Sequence, residues 1–232
     1  MMYTKIVSTR ILTKRVLEKA KLYGIKIMDK DFISIDFDIA EKDSSFLSFL
    51  NDRILVFTSI NGIKGFIDLL SSHNMSTSSK SYSCYCIDGR TSNFAFKNNL
   101  NVIQTASTSM ELAKKIVHEN KHSKLLYFTC KMRTFLFEKC LKSYNIDIKI
   151  EIVYKKTLTP SFVNNFNGVM FFSASQVVSF CKSNLLDKEV PVFCIGPTTA
   201  KCLKKMGHEN ISIASKAKED DLINCVIEYF QK

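Results

Sequence analysis

Short apolar runs recur along this chain, each ending in a Ser, Thr or Gly turn that opens a helical pattern. Ile54-Leu55-Val56-Phe57 leads into Thr58-Ser59, Leu125-Leu126-Tyr127-Phe128 into Thr129, and Val169-Met170-Phe171-Phe172 into Ser173. Val190 to Ile195 leads into Gly196-Pro197-Thr198-Thr199. Continuous apolar runs of this length read as strands buried on both faces, the mark of a parallel sheet with helices above and below it. In the last of these turns Pro197 stands at the first helical position, where its missing N–H does no harm. Ala200, Leu203 and Met206 follow at helical spacing, and Gly207 supplies the stop. Free N–H groups and the hydroxyls of Thr198 and Thr199 at such a helix start suit an anion.

The same pattern extends to both ends. Lys5 to Thr9 reads as a strand, followed by a helix on Leu12, Val16, Leu17, Ala20 and Leu22 that Gly24 stops. Asn61-Gly62 leads into a helix carrying Ile63, Phe66, Ile67 and Leu70, and serine-rich 71–83 reads as an exposed loop. Tyr85 to Thr91 is a strand and turn, with Phe94, Ala95 and Leu100 on the next helix. After a brief strand at Val102–Ala106, Ser107 and Ser109 are alternative caps for a helix on Met110, Leu112, Ala113, Ile116 and Val117. Phe135, Leu136, Cys140 and Leu141 mark a later helix. The chain closes with a strand at Ile211–Ala214 and a helix on Leu222, Ile223, Val226, Ile227 and Phe230.

Two segments break the style. Ile33, Ile35 and Phe37 alternate with Ser34, Asp36 and Asp38, and Ile148, Ile150, Ile152 and Tyr154 alternate with Lys149, Glu151 and Val153. Alternation marks a strand with one wet face. Because the two segments lie far apart in sequence, they are expected to pair as a two-stranded ribbon between two bodies. A weak repeat supports two bodies. Phe57/Ser59/Phe66 match Phe171/Ser173/Phe180, Ile87/Thr91 match Ile195/Thr199, Ile103/Ala106 match Ile211/Ala214, and Thr9/Glu18/Lys19 match Thr129/Glu138/Lys139. The expected fold is α/β, with two similar parallel-sheet domains, helices on both faces, and a discontinuous first domain. That domain takes in 1–32 and 157–232. The linker strands are 33–39 and 148–156, and 40–147 form the inserted second domain.

Two bodies on a hinge define a cleft, and ligands of open parallel sheets sit beyond the carboxyl ends of the strands. Ser59, Thr91, Ser173, Ser175, Thr198 and Thr199 all fall in strand-end turns. Each alone reads as a helix cap. Their placement at matching turns points to a shared anion site. The formal net charge of +11 permits an acidic ligand. No helix-turn-helix, zinc-finger or RNP pattern accompanies the charge, so nucleic acid is not the expected partner.

The chain holds eight cysteines but no Cys-x-x-Cys, so buried free thiols are expected rather than disulfides or a metal site. His118 and His122 could share a helix face, but sit at an expected helix end and are not read as metal ligands. No apolar run approaches the length of a membrane span, and the start has no signal-peptide layout, so no membrane association and a cytoplasmic location are expected.

The turns taken together resemble the uroporphyrinogen-III synthase family. Ile195-Gly196-Pro197-Thr198-Thr199-Ala200 is similar to that family's Ile-Gly-Pro-Thr-Thr-Ala turn, and Phe57-Thr58-Ser59 and Phe172-Ser173-Ala174-Ser175 to its paired Phe-Thr/Ser-Ser turns. Thr9-Arg10 resembles its N-terminal Thr-Arg, and Val153-Tyr154 its Val-Tyr on the second linker strand. Ile60-Asn61-Gly62 departs from the family's frequent Pro-Arg, and Asp88-Gly89-Arg90-Thr91 matches a Gly-x-x-Thr pattern only loosely.

The resemblance implies a lyase that closes the linear tetrapyrrole hydroxymethylbilane with inversion of its last ring, giving uroporphyrinogen III. It implies loss of water, no cofactor, and a monomer with at most transient contacts to neighbouring pathway enzymes. It puts Tyr154 forward to assist departure of the hydroxyl, with packing on the linker as the other reading of that ring. Thr199 would orient the bilane, while Thr9, Arg10, Ser59, Thr91, Ser173, Ser175, Gly196 and Thr198 would bind it. A two-domain protein that binds an acidic small molecule without chemistry, and a nucleic-acid binder, stand as rival readings of the residues.

Overall fold

A computed structural model describes residues 3–38, 44–78, 80–119 and 123–231. His122 and the first linker segment's residue 39 lie outside them. The chain divides into two compact units: unit 1 is Met1–Ser34 with Thr157–Lys232, and unit 2 is Ile35–Lys156.

Unit 2 is a doubly wound sheet. Its strands are β4 (Ile54–Phe57), β5 (Tyr82–Ile87), β6 (Leu100–Ala106), β7 (Leu125–Cys130) and β8 (Ile148–Leu158), with β3 (Ile33–Asp36) at one edge. Their order is β3-β8-β7-β4-β5-β6, and the pairs from β8 to β6 are all parallel. The helices are α2 (Ile60–Ser72), α3 (Arg90–Lys97), α4 (Ser109–Glu119) and α5 (Leu136–Ser143). Period-2 side chains divide between two cores, as a sheet covered on both faces requires. Leu55, Phe57, Cys84, Cys86, Leu126 and Phe128 pack with Ile63, Phe66 and Leu70 of α2 and Ala95 of α3. Val56, Tyr85, Leu125 and Tyr127 pack with Leu112, Ala113 and Ile116 of α4 and with Phe137 and Leu141 of α5.

Unit 1 is built from β1 (Thr4–Ser8), β2 (Ile25–Asp29), β9 (Gly168–Phe171), β10 (Val192–Cys194) and β11 (Ile211–Ile213), with α1 (Lys14–Leu22), α6 (Ala174–Cys181), α7 (Pro197–Lys205) and α8 (Glu219–Phe230). Its order is β11-β10-β9-β1-β2, again all parallel. Ile6, Ile25, Met170 and Phe193 face α1 and α8, and Val7, Val169, Phe171, Val192 and Cys194 face α6 and α7. Counted from β9, the unit runs β9, β10, β11, β1, β2 in the places that β4, β5, β6, β7, β8 occupy in unit 2. The two units are circular permutations of one topology. The weak sequence repeat follows that permutation, because Phe57 and Phe171 end the first strands while Thr129 and Thr9 fall at the ends of the fourth.

Several boundaries differ from expectation. The alternating segments do pair, β3 beside β8, but the ribbon is not free-standing. β8 also pairs with β7 in parallel, which buries Val153 and Tyr154. α2 starts at Ile60 and runs to Ser72, and β5 starts at Tyr82, so the loop expected at 71–83 is shorter by two residues at each end. Leu100 begins β6 rather than lying on α3. Neither Ser107 nor Ser109 caps α4. Thr108 Oγ1 accepts from the Glu111 N–H at 3.1 Å and caps the helix, while the Glu111 carboxylate reaches back past the cap to accept from the Ser107 N–H. Phe135 and Leu136 are exposed, and Phe137 takes the core position beside Leu141.

Two glycines set how closely α2 lies on the sheet. A Cβ on Gly62 would stand 2.7 Å from the Phe128 carbonyl oxygen, and one on Gly65 2.5 Å from that of Val153. Asn61-Gly62 is thus the first turn of a helix pressed onto β7 and β8.

Candidate active site

In an open α/β sheet the crevice forms where neighbouring strands send their connections to opposite faces. In unit 2 that point lies between β4 and β7, where α2 leaves towards one face and α5 towards the other. A cavity of about 220 Å³ opens there, lined by Thr58 and Ser59 after β4, by Tyr127, Thr129 and Cys130 of β7, and by Tyr154 of β8. Arg133, on the turn after β7, and Lys156 line it as well.

Each side chain reaches the cavity for a local reason. Ser59 is in extended conformation and caps α2, its Oγ accepting from the Gly62 N–H at 3.3 Å. The Tyr154 hydroxyl lies 3.4 Å from the same oxygen. Thr58 and Tyr127 share a hydrogen bond at 2.7 Å between their hydroxyls. Burial raises the pKa of both phenols, Tyr127 and Tyr154, because a phenolate would be stranded away from water. Both therefore remain protonated donors at neutral pH. The Tyr154 ring also packs against Phe37, 6.1 Å between centroids, so the ring braces the strand while the hydroxyl meets the cavity. Burial and donation coexist in one residue.

The matching crevice of unit 1 lies between β9 and β1. Ser173 caps α6 as Ser59 caps α2, its Oγ accepting from the Gln176 N–H at 3.3 Å. Here the Gln176 side chain fills the gap: its Oε1 accepts from the Phe172 N–H at 2.9 Å and lies 3.3 Å from Thr9 Oγ1, which bonds the Met170 carbonyl. Thr9 is fully buried. Arg10 lies over the Phe172 ring, 4.5 Å from its centroid, and pairs with Glu219. Ser175 is half-buried in the first turn of α6.

The second turn of each unit has glycine at its cap and no side-chain acceptor, Gly196 before α7 and Gly89 before α3. Thr198 is exposed in the first turn of α7, whereas Thr199 and Thr91 are buried. The two turns differ in backbone. Gly89 has φ 75°, a conformation glycine alone adopts freely, while Gly196 is extended at φ −177°. Among the expected residues, then, Ser59 and Tyr154 share the cavity, Thr9, Arg10 and Ser173 cluster at the filled crevice, and Thr91 lies outside the cavity lining. Thr58, Tyr127, Thr129, Arg133 and Lys156 join the site unforeseen. Two of these carried a signal, Thr129 in its match with Thr9 and Thr58 in the Phe57-Thr58-Ser59 turn. Among the described residues no group of three or more His, Cys, Asp or Glu could hold a metal ion, and no helix is long and apolar enough to cross a membrane.

Fold and site together define a duplicated, doubly wound α/β protein that offers hydroxyl donors and cationic side chains at a topological switch point. Residues 16–224 match the family model described as uroporphyrinogen-III synthase HemD, and the chain belongs to the uroporphyrinogen-III synthase family. It is accordingly a lyase of tetrapyrrole biosynthesis. Among solved structures it is similar to uroporphyrinogen-III synthetase from Helicobacter pylori, at TM-score 0.69 and 16% identity over 98% of this chain and 100% of that one. It is also similar to a mutant uroporphyrinogen III synthase from Thermus thermophilus, at TM-score 0.73 and 9% identity over 99% of this chain and 100% of that one. No curated protein matches it.

Proposed function

We propose that the chain converts hydroxymethylbilane to uroporphyrinogen III, closing the linear tetrapyrrole with inversion of its last ring and loss of one water. The observation that carries this reading is the unit 2 cavity, in which two protonated phenols, further hydroxyls and two cationic side chains converge on one switch point. The substrate's eight carboxylates call for cations and backbone N–H groups, and its departing hydroxyl calls for a donor.

Tyr154 meets the second need. Its phenol donates a hydrogen bond to the departing hydroxide, which leaves as water with the proton that ring closure releases from the last ring, and the positive charge of Arg133 and Lys156 lies nearby. The bilane ionises readily and closes without inversion when free. The enzyme's task is therefore to hold the chain so that the substituted carbon of the last ring attacks, forming a spiro intermediate. Positioning of this kind recovers roughly 7–11 kcal/mol of barrier in well-oriented reactions. The uncapped starts of α7 and α3, with Thr198 on the first, suit further carboxylates. Thr9, Arg10, Ser173, Ser175 and Thr199 of unit 1, and Thr91 of unit 2, belong to the same proposed binding set.

Eight free cysteines fit a reducing compartment, and the reading takes the protein as a cytoplasmic monomer, to be checked by sedimentation velocity. The decisive experiment incubates the full chain with hydroxymethylbilane, oxidises the products and separates the uroporphyrin isomers. Isomer III is expected. Isomer I alone, at the uncatalysed rate, overturns the reading.

A further inference from the structure

The turn 131–135, between β7 and α5, carries a cation that the repeat does not foreshadow. Arg133 is largely buried, yet it lines the unit 2 cavity. Its Nη1 donates to the Cys130 carbonyl at 2.7 Å, its Nε donates to Glu138 Oε1, and the Phe135 ring lies against the guanidinium, 4.7 Å from centroid to Cζ. Three contacts therefore fix the plane of the fork, and among the described residues Nη2 has no hydrogen-bond partner. Glu138 is only 3% exposed, and its Oε2 has no hydrogen-bond partner among the described residues. A buried Arg–Glu pair is a poor source of stability, because desolvating both charges offsets their attraction. A half-satisfied carboxylate is poorer still. The pair is better explained by what it holds in place than by what it adds to folding.

From this geometry we infer that Arg133 recognises a carboxylate of the ligand, and that Glu138 is the positioning residue that aims it. The inference deepens the proposed function and rests on that reading for the identity of the ligand. A guanidinium fixed at Nε and Nη1 presents Nη2 to the cavity in one direction, which suits a charge-assisted N–H bond to one carboxylate oxygen that a freely rotating lysine ammonium holds less well. Glu138 holds the fork from behind and balances its charge, so that the guanidinium need not be reoriented when the ligand arrives.

The test uses the full chain as wild type, Arg133→Gln, Arg133→Lys, Glu138→Gln and the double variant Arg133→Gln/Glu138→Gln. Kinetics with hydroxymethylbilane are measured beside the affinity for uroporphyrin, a stable tetrapyrrole with eight carboxylates, read by quenching of its fluorescence. Arg133→Gln is expected to raise KM and the uroporphyrin Kd about tenfold or more, since a charge-assisted bond is lost, with kcat within about threefold of wild type. Arg133→Lys recovers less than half of that loss on a logarithmic scale. Glu138→Gln weakens binding in the wild-type background and adds nothing in the Arg133→Gln background, because Glu138 acts only through Arg133.

The double variant leaves no orphaned charge, so it reports on binding even where Arg133→Gln alone fails to fold. A folded double variant with wild-type KM and Kd overturns the inference, as does a wild-type protein with no affinity for uroporphyrin. A wild-type protein that binds uroporphyrin but releases only isomer I overturns the proposed reaction instead. The Arg133 comparison is then decided by the binding measurements alone.

Discussion

The third residue of α2 is Gly62, and the third residue of α6 is Gln176. Both donate their backbone N–H to the serine that caps their helix, at the same 3.3 Å, so they hold one position in the duplicated fold. At Gly62 the helix presses onto Phe128 and the switch point stays open as a cavity of about 220 Å³. At Gln176 the side chain enters the crevice and occupies both the Phe172 N–H and the Thr9 hydroxyl. The same permuted scaffold thus carries an open crevice in one unit and a filled one in the other. The comparison teaches that topology supplies two candidate sites, and that single side chains decide which of them is accessible.

The largest effect should come from the open crevice's phenol. Tyr154→Phe keeps the ring and removes the hydroxyl, and is expected to lower kcat by about 10²-fold, measured with the bilane under saturating conditions. Unchanged turnover would reduce Tyr154 to a brace against Phe37. Next is the close approach of α2. Gly65→Ala places a Cβ against Val153 backbone and should cost about 2–3 kcal/mol in urea unfolding. Gly196→Ala, extended and with nothing within 4 Å of its Cβ, should cost almost nothing. Equal costs at the two positions would deny that α2 lies pressed onto its sheet at Gly65 while the turn at Gly196 is open.

Gln176→Leu leaves the Phe172 N–H unpaired and should cost about 1.5 kcal/mol, and it should raise KM, because Gln176 holds Thr9 and its N–H is capped by Ser173, both residues of the proposed binding set. An unchanged KM would take the crevice of unit 1 out of the binding set and leave the open crevice of unit 2 to hold the substrate alone. The two caps should then behave alike in stability: Ser59→Ala and Ser173→Ala each cost about 1 kcal/mol. Only Ser59→Ala should also slow turnover, because its oxygen faces the Tyr154 hydroxyl.

The smallest effect concerns pH. Burial raises the pKa of Tyr82, Tyr85, Tyr127 and Tyr154, all in unit 2. A group whose folded pKa is raised stabilises fully below its unfolded value, about 10 for tyrosine, and loses that contribution as pH rises beyond it. The urea midpoint should therefore fall above about pH 10, and Tyr127→Phe should flatten the fall. A midpoint that stays flat well beyond that point would contradict this burial.

Much of the architecture was legible because parallel sheets advertise themselves: Leu55-Val56-Phe57 and Val169-Met170-Phe171 are too continuously apolar for any strand with a wet face. The caps Ser59 and Ser173 were legible because capping is local, set by a side chain and an N–H three residues on. The exchange of Thr108 for Ser107 or Ser109 shows the limit of that locality. All three residues can cap, and the reach of Glu111 back to Ser107 selects among them. The alternating segments announced a pairing but not the sheet it joins, since alternation records which face is wet and not which strand lies on the other side.

What the sequence determined by itself is the periodicity, the duplication and the chemical character of the strand-end turns. These are written in spacing, and spacing survives without coordinates. What only the tertiary structure decided is which turn is open and which residues complete it. Glu138 and Glu18 match in the repeat, yet Glu138 is buried against Arg133 while Glu18 stands in solvent four residues from Lys14. Tyr127 and Arg133 meet Ser59 only because β7 pairs with β4 and places its C-terminal end there. Neighbourhood across a sheet is a long-range contact, fixed by packing rather than by order in the chain.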